Sequence, residues 1–460
     1  MTGERGWRPA RKYPLGVERQ QDYVLRTVEE RGIRFVQLWF TDVLGTAKTF
    51  SITPAELENA LEEGMTFDGS AIDGFSRVQE SDVLARPDPK TFQLLPWHPD
   101  EVPVARVFCD ISNLDGSPFE GCPRHVLRRA LDRAREKGFT FFAAPEIEFF
   151  YFANADPTHE PVTLDSGSYF ELMASDLSSD LRKRSVLTLE EMGIPVEHAQ
   201  HEDAPSQHEI DLRYTDALTM ADTVMTVRLI VKETAQRRGV HASFMPKPLG
   251  GEQGSGMHTH VSLFEGDKNA FHDPDDPYGL SEVAKQFMAG LLRHAPEITA
   301  VTNQWVNSYK RLVTGYEAPV HVSWARNNRS ALVRVPVVKR HKIESTRIEY
   351  RAPDSACNPY LAFGVILAAG LKGIDEGYEL PREAAANLYA MTPEELAADG
   401  IRPLPGSLHE AIGEMERSEL VAEALGEHVF EWFIRNKRAE WAGYKTHISQ
   451  YERDRYFPLL

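Results

Sequence analysis

The sequence has 460 residues, of which 42% are hydrophobic and 26% charged, so it can bury a large core in two or three domains and is not expected to be disordered. Acidic residues outnumber basic residues by 69 to 51, and the net charge of -18 argues against a nucleic-acid-binding surface. The three cysteines, Cys109, Cys122 and Cys357, form no paired motif, and we find neither a secretory signal nor a membrane-spanning apolar run. We therefore expect reduced thiols and a cytoplasmic location.

The first 113 residues contain the elements of a small α+β domain. Residues 1–17 are charged and rich in Gly and Pro, so we expect a flexible extension before a domain of residues 18–113. In chain order, the predicted elements are a helix at Gln20–Arg31, a strand from Ile33 to a turn at Gly45, a helix after Thr53 with Glu56 completing a capping box, a long functional loop at Phe67–Pro89, and strands at Thr91–Pro96 and Val104–Ile111.

A break at residues 113–123 precedes the second predicted domain, residues 120–460. An amphipathic helix is predicted from His125 to Gly138. The apolar run Tyr360–Leu371 is too short to cross a bilayer and is predicted to be a buried helix. The rest mixes strands and helices without a βαβ rhythm, and several short segments place polar residues at i and i+2, on one face of a strand.

Two acidic motifs fall on these segments. In PEIEFF, Glu146 and Glu148 project from one face of an apolar, aromatic strand, where they repel each other unless a cation or protons intervene. The alternative is an exposed strand face. In HEDAPSQHEIDLRY, Glu202 and Glu209 lie seven residues apart across a Pro-containing loop, although glutamates beside histidines are also common on surfaces.

A histidine motif follows in GSGMHTHVSLF. His258, His260 and Ser262 alternate on one strand face. Gly254 and Gly256, just before them, allow the backbone to approach a ligand closely. A zinc site and a pair of hydrogen-bonded core histidines both fit this motif.

Arginines accompany two further segments. In STRIEYRAPD, Arg347, Glu349 and Arg351 share one face of a short strand, and a simple cross-strand ion pair is the alternative to a ligand site. NSYKRLVTGYEAP and WARNNRSALVR add, around a Gly-containing loop, Arg311, Glu317, Arg329 and Arg334. Surface arginines are usually just solvated, but clustered guanidinium groups bind carboxylates and phosphates in bidentate fashion.

Together these motifs place carboxylates and one imidazole on strands, with arginines beside them. Oxygen-rich ligand sets favour Mg²⁺ or Mn²⁺ over zinc. Two cations beside an arginine cluster are typical of phosphoryl transfer. The sequence contains no Walker A motif, so a nucleotide would not be held by a P-loop.

Seven blocks occur in a specific order along the chain: DGSAIDGF, PEIEFF, HEDAPSQHEID, GSGMHTH, NSYKRLVTGYEAP, NNRSALVR and NPYLAF. In that order they match the type I glutamine synthetase family, which the chain resembles from about Gln20 to its C-terminus. The resemblance implies a small N-terminal β-grasp domain and a large catalytic domain with a curved antiparallel sheet flanked by helices. It also implies a homododecamer of two hexameric rings with active sites between subunits, and neither nucleic acid nor membrane as a partner.

The resemblance gives each motif residue a role. It implies two or more Mg²⁺ ions, or Mn²⁺, with one site formed by Glu148, Glu202 and Glu209 and another by Glu146, His258 and Glu349. The residues implied to bind substrate and the transferred phosphate are Tyr169, Gly254, Arg311, Arg329 and Arg351. Those implied to face ATP are Tyr214, His260, Ser262, Arg334 and Arg347.

The implied reaction joins ammonia to the γ-carboxyl group of L-glutamate, with ATP, through γ-glutamyl phosphate. The implied catalytic residues are Asp68 from the neighbouring subunit, the flap residue Glu317, and Arg329. Four positions depart from the family's usual Ser, Asn, Pro and Val, namely Ala71, Gln253, Thr314 and Asp203. Because Ala71 adds space near the amine, a larger amine (a polyamine, ethanolamine or an alkylamine) is the alternative acceptor.

Two motifs resemble regulatory positions of the family. Tyr389, in NLYAMTPEE, resembles a tyrosine that some members adenylylate, and an exposed loop tyrosine is the alternative. Arg77, in GFSRVQESD, matches an arginine linked in one subclass to feedback by glutamine. That subclass is generally not adenylylated, so the two interpretations compete.

Overall fold

The computed structural model describes residues 15–75, 82–96, 102–172, 177–326, 328–338, 342–384 and 388–460. Arg77 and most of the predicted N-terminal extension lie outside the described residues. The chain forms two compact units, of which the second contains residues 120–460 together with 41–46 and 73–75, and the first contains the other residues up to Phe119. The predicted limits of the extension and the two domains stay predictions.

The first unit has these described elements: α1 (Leu15–Glu30), β1 (Phe35–Thr41), β2 (Ala47–Ile52), α2 (Pro54–Glu63), β3 (Met65–Asp68), β4 (Asp82–Pro87), β5 (Gln93–Leu94) and β6 (Val104–Ser112). Its sheet runs in the order β2-β1-β6-β4-β3, with β5 also paired to β6. Strands β1 and β6 are parallel, whereas β4 pairs antiparallel with β3 and β6. This mixed sheet with its helices confirms the predicted α+β class.

Three predictions for this unit are wrong in detail. The loop predicted at Phe67–Pro89 has strand residues at both ends, because Asp68 of β3 pairs opposite Asp82 of β4. The strand predicted at Thr91–Pro96 is reduced to the two residues of β5, because a 3-10 turn occupies Pro89–Thr91. Helix α2 begins after Thr53 as predicted, but the Thr53 side chain makes no capping hydrogen bond, so no capping box forms.

The second unit holds the remaining elements. Its described helices are α3 (Pro123–Glu136), α4 (Leu177–Glu191), α5 (Ala217–Gln236), α6 (Glu282–Thr302), α7 (Ser308–Arg311), α8 (Pro359–Asp375), α9 (Pro393–Ala398), α10 (Leu408–Glu416), α11 (Glu419–Leu425), α12 (Glu427–Thr446) and α13 (Gln450–Tyr456). Its described strands are β7 (Thr140–Phe152), β8 (Val196–His201), β9 (Gln207–Leu212), β10 (Thr215–Asp216), β11 (His241–Ser243), β12 (Met257–Glu265), β13 (Lys268–Asn269), β14 (Trp324–Ala325), β15 (Val333–Arg334) and β16 (Ile348–Tyr350).

The sheet of the second unit runs in the order β14-β15-β16-β12-β7-β9-β8, with β10 and β11 also paired to β7 and β13 to β12. In the described part of the chain its pairings are antiparallel except between β14 and β15, a short parallel contact that departs from the predicted antiparallel sheet. Phe141 of β7 stacks on Phe287 of α6. Because side chains alternate along a strand, the even-numbered Glu146 and Glu148 lie on the opposite face of the sheet from Phe141 and α6.

Helices α6 and α8 cross at two glycines. A Cβ atom added to Gly290 would lie 2.2 Å from the carbonyl oxygen of Ala369, and one added to Gly373 would lie 2.1 Å from that of Gln286. Only glycine permits this approach of the two backbones. Most of α8 is buried, which confirms the predicted buried helix at Tyr360–Leu371.

Two further sequence expectations concern thiols and membranes. All three cysteines are buried and free of disulfide bonds, as predicted. Among the helices within the described ranges, none combines the length and apolar character of a bilayer-crossing segment.

Asn358 joins residues 41–46 to the start of α8. Its Oδ1 atom caps the helix by accepting hydrogen bonds from the first backbone amides of α8. Its Nδ2 group donates to the carbonyl oxygens of Asp42 and Val43, each at 3.1 Å. One buried side-chain amide thus attaches an early segment of the chain to the second unit.

Candidate active site

Four neighbouring strands of the second unit bring the acidic and histidine motifs together. Glu146 of β7 pairs opposite His258 of β12, and Glu148 pairs opposite Glu209 of β9. On the next strand, β16, Glu349 pairs opposite His260, the next even-numbered residue of β12. Because even-numbered positions of β7 and β12 share one face of the sheet, these side chains meet on the face opposite the helices.

The first cluster consists of Glu146, His258 and Glu349, whose ligand atoms all lie within 4.8 Å of one another. His258 Nδ1 lies 3.1 Å from Glu146 Oε2 and 3.8 Å from Glu349 Oε1. Burial and the charge of Arg351 lower the pKa of His258 to about 4, so the imidazole is neutral at physiological pH, as a metal ligand must be. Burial alone would raise the pKa of Glu146, but His260 and His258 hold it well below its usual range.

The second cluster consists of Glu148, Glu202 and Glu209. Gln200 Nε2 donates to Glu202 Oε1 at 2.9 Å and to Glu209 Oε2 at 2.5 Å. Glu148 Oε2 accepts a hydrogen bond from the backbone N–H of Gly256 at 2.8 Å. Burial, with the negative charge of Glu202, raises the pKa of Glu148 to about 8, and burial with neighbouring carboxylates raises that of Glu209 well above its usual value.

Asp211 belongs to the same cluster, although the sequence analysis did not select it. It follows Glu209 by two residues on β9 and pairs opposite Glu146. Burial, followed by the charge of Glu146, raises the pKa of Asp211 to about 9. The i, i+2 pattern in HEID was the available signal, the same pattern that selected Glu146 and Glu148.

Two arginines converge on Glu349, which is fully buried. Arg351 Nη1 donates to Glu349 Oε1 at 3.0 Å, and Arg334 Nε donates to Glu349 Oε2. Arg351 Nη2 also donates to the backbone carbonyl of Glu317 at 3.3 Å. The Nε–H of Arg351 is buried and makes no hydrogen bond with any described residue. This unused donor suits a bound anion.

The predicted flap residue Glu317 adopts a backbone conformation rare for a residue with a side chain, with φ at 53°. Its carboxylate Oε1 lies 3.6 Å from Arg329 Nη1, and both side chains are largely exposed. Local strain of this kind costs about 1–3 kcal/mol and is typical of functional loops. The structure thus places Glu317 and Arg329 together at the rim of the cleft.

Two adjoining cavities contain most of the predicted site residues. The first, of about 190 Å³, is lined by Glu146, Glu148, Tyr169, Glu202, Glu209, Gly254, His258, Arg311, Glu317, Arg329, Arg334 and Arg351. The second, of about 420 Å³, is lined by Glu146, Tyr214, His260, Ser262 and Arg347. We call them the acidic cavity and the tyrosine cavity. Glu146, His198 and Asp211 line both, so the two cavities share a wall.

Hydrogen bonds across the shared wall connect the two cavities. Arg347 Nε donates to His260 Nδ1 at 3.2 Å, which leaves His260 Nε2–H to donate to Glu146 Oε1 at 2.7 Å. Tyr214 is half exposed and packs edge-on against Phe142, with the ring centroids 5.7 Å apart. Arg334, which the resemblance grouped with the ATP residues, lines the acidic cavity, and its role toward ATP stays a prediction.

Gly254 and Arg311 pack tightly at the floor of the acidic cavity. A Cβ atom added to Gly254 would lie 2.3 Å from the carbonyl oxygen of Pro246 and 3.0 Å from Arg311 Cγ, so only glycine fits. Arg311 is buried and donates through Nη1 to the carbonyl oxygen of Ala352 at 2.8 Å.

Two residues singled out in the sequence, Asp68 and Tyr389, line neither the acidic cavity nor the tyrosine cavity. Asp68 belongs to the first unit, where its Oδ1 atom accepts a hydrogen bond from the backbone N–H of Ser70 at 2.8 Å. Its role at the amine site stays a prediction. Tyr389 is partly buried and its hydroxyl donates to the carbonyl oxygen of Ala318 at 2.8 Å, so the exposed loop tyrosine offered as the alternative is wrong.

The donor set fits divalent cations bound by oxygen. Buried carboxylates that raise one another's pKa are stabilised when a cation replaces their protons. The first cluster supplies two carboxylates and a neutral imidazole, and the second supplies carboxylates alone. Both sets are compatible with Mg²⁺ or Mn²⁺.

We expect the metal-free protein to lose stability as the pH rises from 7 to 9. Glu148 and Asp211 have folded-state pKa values near 8 and 9, above their unfolded values, so their contribution to stability is complete below about pH 4 and declines until the folded pKa is passed. Because metal ions compete with these protons, the increase in Tm caused by saturating Mn²⁺ should grow over the same range. Scanning calorimetry at fixed protein concentration measures both trends.

The variant Glu148→Gln should flatten this pH dependence, because it removes one of the titrating carboxylates. Glu376→Gln is the matched control, since Glu376 is an exposed carboxylate that pairs with Lys372 on α8. A metal-free Tm that stays level or rises between pH 7 and 9 in the unmodified protein would contradict the prediction.

Comparison with known proteins adds independent findings. Residues 32–114 match the family described as "Glutamine synthetase, beta-Grasp domain", and residues 120–456 match "Glutamine synthetase, catalytic domain". A glutamine synthetase of Mycolicibacterium smegmatis is 58% identical over 446 residues, which cover 96% of this chain and 100% of that protein. A glutamine synthetase of Thermotoga maritima is 48% identical, over 95% of this chain and 99% of the relative.

Solved structures resemble the chain over nearly its whole length. A cryo-EM structure of Plasmodium falciparum glutamine synthetase superposes with a TM-score of 0.86 at 26% identity, covering 96% of this chain and 98% of that one. A structure titled "GmaS/ADP complex-Conformation 1" gives a TM-score of 0.84 at 32% identity, covering 95% and 99%. The β-grasp domain and the large catalytic domain predicted from the sequence are therefore confirmed.

Proposed function

The chain belongs to the glutamine synthetase family, and from that premise we propose that it catalyses the ATP-dependent ligation of ammonia to the γ-carboxyl group of L-glutamate. The observation that carries the proposal is the shared wall of the acidic and tyrosine cavities, where Glu146 lines both. ATP in the tyrosine cavity and glutamate in the acidic cavity would approach each other at this wall. Phosphoryl transfer requires such an approach.

In the first step, a γ-carboxylate oxygen of glutamate attacks the terminal phosphorus of ATP, the bond to ADP breaks, and γ-glutamyl phosphate forms. Divalent cations, two or more Mg²⁺ or Mn²⁺, supply charge neutralisation on the phosphoryl oxygens when bound. The residues that would hold them are the two clusters, Glu146, His258 and Glu349, and Glu148, Glu202 and Glu209.

Arginines orient the two anions during this step. Arg351 lines the acidic cavity, and Arg311 packs against Gly254, whose backbone would contact the amino acid. Arg329, exposed at the rim, turns inward to the transferred phosphate. Positive groups aimed at developing negative charge in a water-poor cleft lower the barrier by several kcal/mol, about 3–4 for a single donor.

The tyrosine cavity holds the nucleotide. Tyr214 packs beside the adenine, while His260, Ser262 and Arg347 face the phosphates. Arg334 also contacts ATP, from its position in the acidic cavity.

In the second step, ammonium loses a proton, ammonia attacks the acyl carbon, and phosphate leaves. The negative groups of the acidic cavity attract the cation, and Glu317 together with Asp68 of a neighbouring subunit supplies the base. Tyr169 lines the amine pocket beside the acidic cluster. Burial, followed by the charges of Glu202, Glu209 and Glu148, raises the pKa of the Tyr169 phenol above its usual value. The Glu317 flap excludes water, which would hydrolyse the acyl phosphate.

We extend the proposal to the state of the protein in the cell. Because Asp68 lies in the first unit and acts from a neighbouring subunit, the working form is a homo-oligomer, a dodecamer of two hexameric rings. Its location is the cytoplasm. Sedimentation at working concentration measures the assembly state.

The test is phosphate release from ATP in the presence of glutamate and a panel of amines. We expect kcat/KM for ammonium to exceed that for putrescine, ethanolamine and methylamine by at least about 10²-fold, because the close carboxylates suit a small cation. Turnover with one larger amine but not with ammonium would overturn the substrate assignment. A larger amine is the second candidate, favoured by the space that Ala71 adds near the amine.

A further inference from the structure

A buried polar network lies behind the acidic cavity, between the segment that carries Tyr169 and the turn between β8 and β9. Its centre is Asp165, whose side chain is 2% exposed. Asp165 Oδ1 accepts hydrogen bonds from the backbone N–H groups of Ser206, at 2.8 Å, and Gly167, at 3.1 Å. Its Oδ2 atom accepts from Ser178 Oγ at 2.7 Å. One carboxylate therefore joins three segments of the chain.

Ser206 in turn accepts hydrogen bonds from the segment that contains Asp165. Its Oγ atom accepts hydrogen bonds from the backbone N–H groups of Leu164, at 2.7 Å, and Asp165, at 3.0 Å. Ser206 itself has φ at 60°, the left-handed region that favours glycine. A strained residue of this kind persists only where its surroundings fix it. We call this reciprocal pair of contacts the Asp165–Ser206 clasp.

His201 connects the clasp to both sides of the acidic cavity. Its Nε2–H donates to Asp165 Oδ1 at 3.0 Å, and its Nδ1–H donates to the carbonyl oxygen of Glu202 at 2.6 Å. Its own carbonyl oxygen accepts from the backbone N–H of Phe170 at 3.1 Å. Glu202 lines the cavity directly, and so does Tyr169, the neighbour of Phe170.

The distances alone would also fit a metal ion, because ligand atoms of Asp165, His201 and His208 lie within 4.8 Å of one another. The hydrogen bonds favour another interpretation. Both ring nitrogens of His201 face oxygen acceptors and therefore carry hydrogens. Arg182 Nη1 donates to His208 Nδ1 at 2.5 Å, which leaves the hydrogen of His208 on Nε2. His208 Nε2 makes no hydrogen bond with any described residue and lies 4.0 Å from Asp165 Oδ2. Because both nitrogens of His201 and the Nδ1 atom of His208 are engaged in hydrogen bonds, we interpret the cluster as a hydrogen-bonded network.

We propose that the Asp165–Ser206 clasp is a positioning device for the amine half of the reaction, which holds the Tyr169 segment against the turn that carries Glu202. The inference rests on the proposed function, since that function assigns Tyr169 to the amine pocket. Asp165 and Ser206 contact no substrate and act through Tyr169 and Glu202. Loss of the clasp should therefore affect ammonium and spare the tyrosine cavity.

The test compares Asp165→Asn and Ser206→Gly in the full-length protein. Asn keeps the shape of the side chain but loses the charge facing His201, and Gly removes the hydroxyl while adopting φ at 60° without strain. We expect each variant to raise KM for ammonium roughly tenfold and KM for ATP less than about twofold, as loss of a charge-assisted hydrogen bond predicts. The double variant should add little, because both changes break the same clasp.

Hydrogen–deuterium exchange gives a second measurement that does not depend on turnover. The amides of Leu164, Asp165, Gly167 and Phe170 should exchange faster in both variants, because their acceptors are lost or released. Asp156→Asn is the matched control. Asp156 also accepts hydrogen bonds from a local backbone amide and contacts a histidine, but it is exposed and lines neither cavity.

The outcomes separate the two proposals. Absence of ammonium-dependent turnover in the unmodified protein would refute the proposed function, whereas the exchange data would still test the clasp. Unchanged exchange over residues 164–171 in both variants would refute the clasp. Faster exchange with an unchanged KM for ammonium, or with equal increases for ammonium and ATP, would refute its role at the amine site.

Discussion

Replacing Glu349 with Gln is expected to lower kcat by on the order of 10³-fold. The fully buried carboxylate of Glu349 belongs to the first cluster and accepts hydrogen bonds from Arg351 and Arg334. An amide of the same size loses the negative charge and turns donors toward two arginines. The change therefore weakens one metal site and leaves positive charge uncompensated in the cleft.

The measurement combines steady-state kinetics with counting of bound Mn²⁺ by electron paramagnetic resonance. We expect the number of tightly bound ions per subunit to fall by about one, and kcat to stay low when the metal concentration is raised. Circular dichroism and sedimentation confirm that the variant folds and assembles. Glu349→Asp, which keeps the charge on a shorter side chain, should recover part of the loss.

Glu376→Gln again serves as the control, because it removes an exposed carboxylate from an i, i+4 ion pair that solvent screens. Two results would contradict the role of Glu349. One is a kcat within tenfold of the unmodified protein with the metal count unchanged. The other is an equal loss in the Glu376→Gln control.

The variant Arg351→Lys is expected to lower kcat/KM for glutamate by about 10²-fold, which corresponds to about 2.7 kcal/mol. Lysine keeps the positive charge but lacks the planar fork that contacts Glu349 and the Glu317 carbonyl together. It also removes the buried Nε–H, which makes no hydrogen bond with any described residue. The variant therefore weakens the contacts of residue 351 with both the Glu317 flap and Glu349.

Kinetics with glutamate and ATP varied separately provide the measurement. KM for ATP should change less than about threefold, because Arg351 does not line the tyrosine cavity. Arg184→Lys is the matched control, since Arg184 pairs with Asp180 on the exposed face of α4. A larger effect on ATP than on glutamate would contradict the assignment of Arg351 to the acidic cavity.

Strand periodicity correctly predicted which acidic side chains share a face of the sheet, because side chains alternate along a strand. Glu146, Glu148 and His258 were selected by the i, i+2 pattern and do share one face of the sheet. The resemblance to glutamine synthetases supplied the pairing of distant motifs, which periodicity cannot give. Asp211 carried the same i, i+2 signal as Glu209 but was not selected, because the resemblance assigned a role to Glu209 and none to Asp211.

Other features depend on contacts that a linear sequence does not reveal. The side chain of Thr53 makes no hydrogen bond to the first turn of α2, although the sequence pattern for a capping box is complete. Ser206 lies within HEDAPSQHEID, but its partner Asp165 is 41 residues away and belongs to no quoted motif, so only the folded backbone shows that they bond. Arg334 was assigned by family position, yet its Nε atom contacts Glu349 in the acidic cavity.

The attachment of residues 41–46 by Asn358 can form only late in the synthesis of the protein on the ribosome. Asp42 leaves the ribosome 316 residues before the amide that bonds to it has been made. At roughly 5–20 residues per second, about 15–60 s pass between synthesis of this segment and synthesis of Asn358. During that interval the segment has its local hydrogen bonds, such as the one from the Gly45 N–H to the Asp42 carbonyl oxygen, but lacks its attachment to α8. Slow translation between these two points should therefore prolong the time before the segment is attached.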